Sequence, residues 1–236
     1  VGETTKRVED AAIRAMTERN AEPFLGGQPL HDRDDVPTDG LEIHASEIGY
    51  VAHIDTAALQ RVTEKHEANV YVLALPGAFI DTKRPLAIVT GAGENLLDAV
   101  TDAFSIASER SFDQDPRFGL IVLSEIAQRA LSSAVNDPGT AIDVIGRAVR
   151  ALSIWGEPVA GKEPRCPRVH VPPVHVDELF DDFFLPVARD GAGVAEVQVR
   201  LQKALAPCRG WTTPGSGKAP ANTPPSHWIA FATPQA

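Results

Sequence analysis

At 236 residues the chain is long enough for one large domain or two small ones with a real core, and 43% hydrophobic with 23% charged residues is globular rather than disordered composition. A formal net charge of −10 repels phosphate on average, which removes nucleic acid from the expected partners and disfavours docking of the domain face onto anionic lipid. The two cysteines, Cys166 and Cys208, lie in proline-rich sequence without CxxC spacing or a histidine at ligand distance, the pattern of unpaired thiols in a reducing compartment.

Residues 4–19 predict an amphipathic helix with Val8, Ala11, Ala12, Ala15 and Met16 on one side. Residues 22–40, rich in Asp, Gly and Pro, read as a linker. Alternation of Leu41, Ile43 and Ala45 with polar neighbours predicts a strand, and residues 50–54 a second. Asp55 is a good N-cap for a helix over 56–67, with Leu59 and Val62 facing inward. The β-branched run 70–75 predicts a strand, Pro76-Gly77 a turn, and Phe79-Ile80 and residues 85–89 two further strands.

From Glu94 the periodicity becomes helical: Leu96, Leu97, Val100, Phe104 and Ala107 share one face of a helix predicted to end near Arg110. Asp115-Pro116 and Asp137-Pro138 are start signals for two more helices, since aspartate accepts from an orphan N–H and proline tolerates the first helical position. The first of them, reaching about Ser133, is apolar nearly all round and therefore central; Glu125, Gln128 and Arg129 make it a core helix, not a bilayer span. Glu125 and Arg129, four apart, are expected to satisfy one another if buried. After a linker at 156–167, Val169-His170-Val171 suggests a strand, and Asp177 caps a helix bearing Leu179, Phe180, Phe183, Phe184 and Val187. Gly191-Ala192-Gly193 breaks it before a last helix with a Val194, Val197, Leu201, Leu205 stripe. From Pro207 the stripe vanishes and proline becomes frequent, so 207–236 reads as a disordered tail or an aberrant, out-of-frame one.

The chemistry-bearing motifs are few. Val89-Thr90-Gly91-Ala92-Gly93-Glu94 has the context of a phosphate-cradling loop, but Leu96 stands where the dinucleotide fingerprint needs its third glycine, no Gly-Lys-Ser/Thr follows, and Glu94 would repel phosphate. It reads as a plain strand-to-helix turn. The seven histidines are scattered, with no pair at helical ligand spacing beside a carboxylate, so no metal set is expected. No Gly-x-Ser-x-Gly elbow exposes Ser124, Ser132 or Ser133. No catalytic residue and no cofactor are assigned.

Two polar constellations remain: Arg110, Ser111, Asp113, Gln114 and Asp115, and Asn136, Asp137 and Thr140. A helix of ~18 residues between them spans roughly 27 Å, which makes two patches rather than one site. The first reading is that each caps helices and satisfies backbone groups. The functional alternatives are a small-ligand or subunit-contact site, or an enzyme in which Arg110, Asp113 and Asp115 act on a small polar or cationic substrate.

The order of several motifs resembles an uncharacterised family of predicted bacterial membrane proteins, domain of unknown function 2254. The residues carrying the resemblance are Gly49-Tyr50-Val51, Ile54-Asp55, Pro76-Gly77, Phe79-Ile80, Arg110-Ser111-Phe112, Gln114-Asp115 and Phe118-Gly119. The run Ile126-Ala127-Gln128-Arg129-Ala130-Leu131-Ser132, then Asn136-Asp137-Pro138, Thr140-Ala141 and residues 188–193, extends it over 41–206. Ser133 departs from a proline usual in the family, and the segment after Ala206 lacks the helical end expected. The resemblance implies transmembrane helices upstream, which Val1, not being a methionine, also leaves room for. It thereby implies a bacterial inner-membrane protein whose part seen here is cytoplasmic, with self-association open, and it brings no known catalytic residues.

The expected fold is α+β, a small β-rich unit with one helix packed on a mainly α-helical body. The expected segments are an N-terminal helix and linker (1–40), the β-rich unit (41–90), the helical body (91–206) and the tail (207–236). The expected function is a non-catalytic cytoplasmic domain serving assembly or ligand sensing.

Overall fold

The computed structural model describes residues 2–91, 96–156 and 163–206, and the fold is α+β. The tail 207–236, Cys208, part of the turn at 89–94 and part of the linker at 156–167 lie outside the described residues.

The chain forms two compact units, each built from non-contiguous stretches. The β-rich unit holds strands β1 (Gly27–Pro29), β2 (Leu41–His44), β3 (Gly49–Ile54), β4 (Asn69–Val72), β5 (Phe79–Ile80), β6 (Pro85–Thr90), β7 (Phe104–Ala107) and β8 (Cys166–Val171), with helices α2 (Thr56–Lys65) and α3 (Leu97–Thr101). The strands form a five-stranded mixed sheet in the order β1-β8-β4-β6-β2 and a three-stranded antiparallel sheet in the order β5-β3-β7. In the larger sheet β8 runs parallel to both β1 and β4, while β6 is antiparallel to β4 and β2. Inward residues of both sheets, among them Ile43, Val51, Ile54, Val70, Val89 and Val169, share one apolar core with Leu59 of α2 and Val100 of α3. Asp55 caps α2 as its sequence position predicts, its Oδ1 accepting the Ala58 N–H at 2.7 Å.

The helical unit holds α1 (Gly2–Ala21), α4 (Pro116–Leu131), α5 (Pro138–Ser153), α6 (Val176–Asp190) and α7 (Ala195–Leu205). Helix α4 packs on α5 and α6, and α5 packs on α7. Gly119 is a contact requirement: a Cβ there would fall 2.8 Å from Ala12 Cα, so only glycine admits α1 so close to α4. Phe180, Phe183 and Phe184 are fully buried, with Phe183 and Phe184 edge to face at 5.1 Å between centroids.

Several sequence expectations are corrected here. The single helix over 94–110 is the short α3 followed by strand β7, because pairing with β3 claims Phe104–Ala107 despite their helical spacing. The presumed linker at 22–40 contains β1, which pairs with the distant β8, and a 3-10 turn at Arg33–Asp35. The segments at 1–40, 41–90 and 91–206 do not coincide with the units: α1 joins the helical unit, whereas residues 91–115 and β8 join the β-rich one. The buried face of α1 is rotated from the predicted one. Thr5, Glu9, Ala12, Ala15, Met16, Arg19 and Asn20 are buried, while Val8 is only half-buried. Glu125 and Arg129 are both exposed; the buried polar residue of α4 is Ser124. Helix α6 is capped at His175, and Asp177 sits in its first turn.

Candidate functional site

The seven candidate residues fall in different units. Arg110, Asp113, Gln114 and Asp115 end the main stretch of the β-rich unit, whereas Asn136, Asp137 and Thr140 join α4 to α5 in the helical unit.

The second group is a helix junction. Asn136 adopts the left-handed conformation (φ +48°) that asparagine tolerates better than most other non-glycine residues. Its N–H donates to Ser132 O, and the Asp137 N–H donates to Ala130 O at 2.8 Å, which satisfies a carbonyl at the end of α4. Asp137 then caps α5: Oδ1 accepts the Thr140 N–H at 3.0 Å and Oδ2 accepts the Thr140 hydroxyl at 2.6 Å. The hydroxyl of Thr140 first, then its N–H, hold the Asp137 carboxyl below the usual carboxylate range. Asp137 and Thr140 thus have a local structural task in their side chains, and Asn136 in its backbone.

The first group is denser. Asp115, only 3% exposed at its side chain, accepts at Oδ2 from Arg110 Nε (2.9 Å) and Nη2 (2.7 Å). The Pro76-Gly77 turn lies against this pair. A Cβ at Gly77, where φ is +91°, would fall 2.8 Å from Arg110 Nη2. The same turn is tied to β3, since the Gly77 N–H donates to Val51 O at 2.8 Å. Gln114 presents one acceptor and one donor to the end of β3, as a neighbouring strand would: Oε1 accepts the Ile54 N–H at 2.9 Å and Nε2 donates to Ile54 O at 3.2 Å. Asp113 Oδ2 lies 2.7 Å from His53 Nδ1, and the Asp113 N–H donates to Ser111 Oγ at 3.3 Å. Gln114 Nε2 also approaches His53 Nε2 at 3.4 Å.

His53 is therefore a member of this cluster that sequence reasoning left among scattered histidines. What aims it is a β-bulge. Val51 pairs with Ile106 and His53 with Ser105, so Ala52 is an extra residue in the ladder. The extra residue breaks the alternation, leaving Val51 and Ile54 both buried and His53 43% exposed at its side chain, toward Asp113. The available signal was the three-residue spacing of Val51 and Ile54, which an unbulged strand could not bury on one face.

Chemically the cluster fastens a loop. Each of its carboxylates, Asp113 and Asp115, is bonded to an imidazole or a cation of the same unit. Among the described residues no group of three or more His, Cys, Asp or Glu is placed to hold a metal ion.

Comparison with known proteins bears on the whole chain. Residues 1–207 match the sequence model of the family described as "Predicted membrane protein (DUF2254)". The match takes in α1 as well as the 41–206 region and ends where the chain's texture changes at Pro207. Uncharacterized protein Rv1290c of Mycobacterium tuberculosis is 29% identical over 116 residues, 46% of this chain and 22% of that protein. Uncharacterized protein Mb1321c of Mycobacterium bovis matches to the same extent, so the aligned part of the chain spans less than a quarter of either relative. No solved structure matches. No described helix is long and apolar enough to cross a membrane. The chain belongs to the DUF2254 family of predicted membrane proteins.

Proposed function

We propose that this region is a non-catalytic domain of a bacterial membrane protein, placed on the cytoplasmic side of the inner membrane and serving assembly or ligand sensing. The observation that carries the reading is the family match over residues 1–207. Because no described helix is a candidate span, membrane-crossing segments in this reading belong to parts of the full-length protein outside the described residues. The cytoplasmic side is supported by the free thiol of Cys166, buried in the β-rich unit, which a reducing compartment preserves. The non-catalytic part is supported by the Arg110–Asp115 and His53–Asp113 pairs, which engage the loop's charged groups with one another.

Expression of the full-length gene followed by cell fractionation tests attachment. The protein is expected in the membrane fraction and released by detergent; recovery wholly in the soluble fraction without detergent would overturn the reading. Protease added to spheroplasts tests the side: this domain is expected to be protected until the membrane is broken.

A further inference from the structure

We propose that His53, Asp113 and Gln114 form a proton-sensitive latch, in which protonation of His53 releases the Gln114 side chain from the end of β3. The latch is a property of the β-rich unit and does not depend on the attachment proposed above. The argument is one of donors and acceptors. The Gln114 amide cannot flip, because Oε1 must face the Ile54 N–H and Nε2 must face the Ile54 carbonyl. Its Nε2 therefore turns an N–H toward His53 Nε2, which can accept only while that nitrogen carries a lone pair. Asp113, acceptor-only when ionised, selects the matching tautomer by taking the Nδ1–H at 2.7 Å. Neutral His53 thus bonds on both sides.

When the ring takes a second proton at Nε2, its bond to Asp113 becomes charge-assisted and holds it in place, while two N–H groups now oppose one another across 3.4 Å. The Gln114 amide is the group that must move, and it carries the loop's hold on Ile54 with it. The strands beside β3 are β5, with Phe79 and Ile80, and β7, from Phe104 to Ala107, and neither carries a titratable residue. Within the loop Arg110 and Asp115 are paired with each other, and Glu109 is exposed. On β3's own segment the nearest carboxylate, Asp55, is bound by the Ala58 N–H.

Amide hydrogen exchange on the full chain, resolved at Ile54 and corrected for the intrinsic pH dependence, reads the latch directly. Between pH 8 and pH 5 the Ile54 protection factor is expected to fall roughly three- to tenfold, the worth of one modest hydrogen bond. Amides in the larger sheet, such as Ala87, should keep theirs. In His53→Gln, which does not titrate, the fall should disappear. In Gln114→Glu, whose carboxylate accepts from the protonated ring as well as from Ile54, it should disappear or reverse. A pH-independent Ile54 amide in the parent, or an equal fall in His53→Gln, would overturn the proposal.

Discussion

The buried carboxylates of the two units are paired differently: Glu9 of the helical unit takes arginines far along the chain, whereas Asp115 of the β-rich unit takes its arginine from the same loop. In the helical unit the buried Glu9 of α1 takes Arg147 Nη1 at 2.5 Å and Arg150 Nε at 2.6 Å, both from α5. Likewise Arg117 of α4 reaches Asp182 at 2.6 Å and Glu178 at 2.6 Å on α6. In the β-rich unit Arg110 and Asp115 are five residues apart, and the loop they close is pinned to β3 by Gln114 at Ile54 and by Asp113 at His53. The difference teaches that a buried carboxylate serves as tertiary glue or as the shaper of one connection according to how far along the chain its cations lie.

The comparison can be broken most sharply at Arg110. Arg110→Ala leaves Asp115, 3% exposed, as a buried charge without its cation, and should cost about 3–5 kcal/mol in chemical denaturation. The double variant Arg110→Ala with Asp115→Ala should recover part of that loss, because the stranded charge is gone. Additive losses would mean that the two residues do not act as a pair.

A smaller effect is expected at Glu9, since Arg150 is more than half exposed and water can take over one of its two partners. Glu9→Gln should cost about 2–3 kcal/mol at neutral pH. Burial pushes the Glu9 carboxyl up, but hydrogen bonds from Arg150 and Arg147 outweigh it and hold the group below its usual range. A folded-state value below the unfolded one means stabilisation that is full above the ordinary glutamate range and lost as pH falls through the depressed value. The gap between parent and Glu9→Gln, followed by urea titration at successive pH values, should therefore be widest near pH 7 and shrink below about pH 4. A gap that grows on acidification would reverse the assigned sign.

Smaller still is the junction between α4 and α5. Asp137→Ala removes an exposed N-cap and should lower the melting temperature by a few degrees. Asn136→Gly should be mild and Asn136→Val clearly worse, because a β-branched residue resists φ +48°. Equal melts for the last two variants would remove backbone conformation as the reason for asparagine. The smallest change is expected from truncation after Ala206: the family match ends at residue 207, and the melting temperature should be nearly unmoved. A drop of many degrees would show that 207–236 contributes to the fold.

Local signals in the sequence were sufficient for several elements whose deciding interaction is itself local, though not at α6, where Asp177 lies inside the first turn instead of capping it. Asp55 and Asp137-Pro138 each mark a helix start that the structure keeps, because a cap acts within three or four residues of the group it satisfies, and Pro116 opens α4 as its position predicts. The alternation at 41–44 and the β-branched run near 70 became strands. The helix read over 94–110 failed at Phe104–Ala107 for the opposite reason: apolar spacing reports which side is buried, but the choice of β7 over helix lies in backbone bonds to β3, fifty residues earlier.

Of the candidate site, the sequence by itself marked the Arg110–Asp115 loop and the Asn136–Thr140 junction, because clustered polar residues at helix ends stand out against apolar periodicity. Only the tertiary structure decided that these belong to separate units, that β1 and β8 are partners, that Glu9 faces inward, and that His53 meets Asp113. Each of those outcomes depends on groups brought together from distant positions: two arginines of α5 that neutralise a buried carboxylate, and one extra residue in β3 that turns an imidazole outward. Residue spacing along a chain records the periodicity of an element, and it carries no record of which partner will meet that element's polar face.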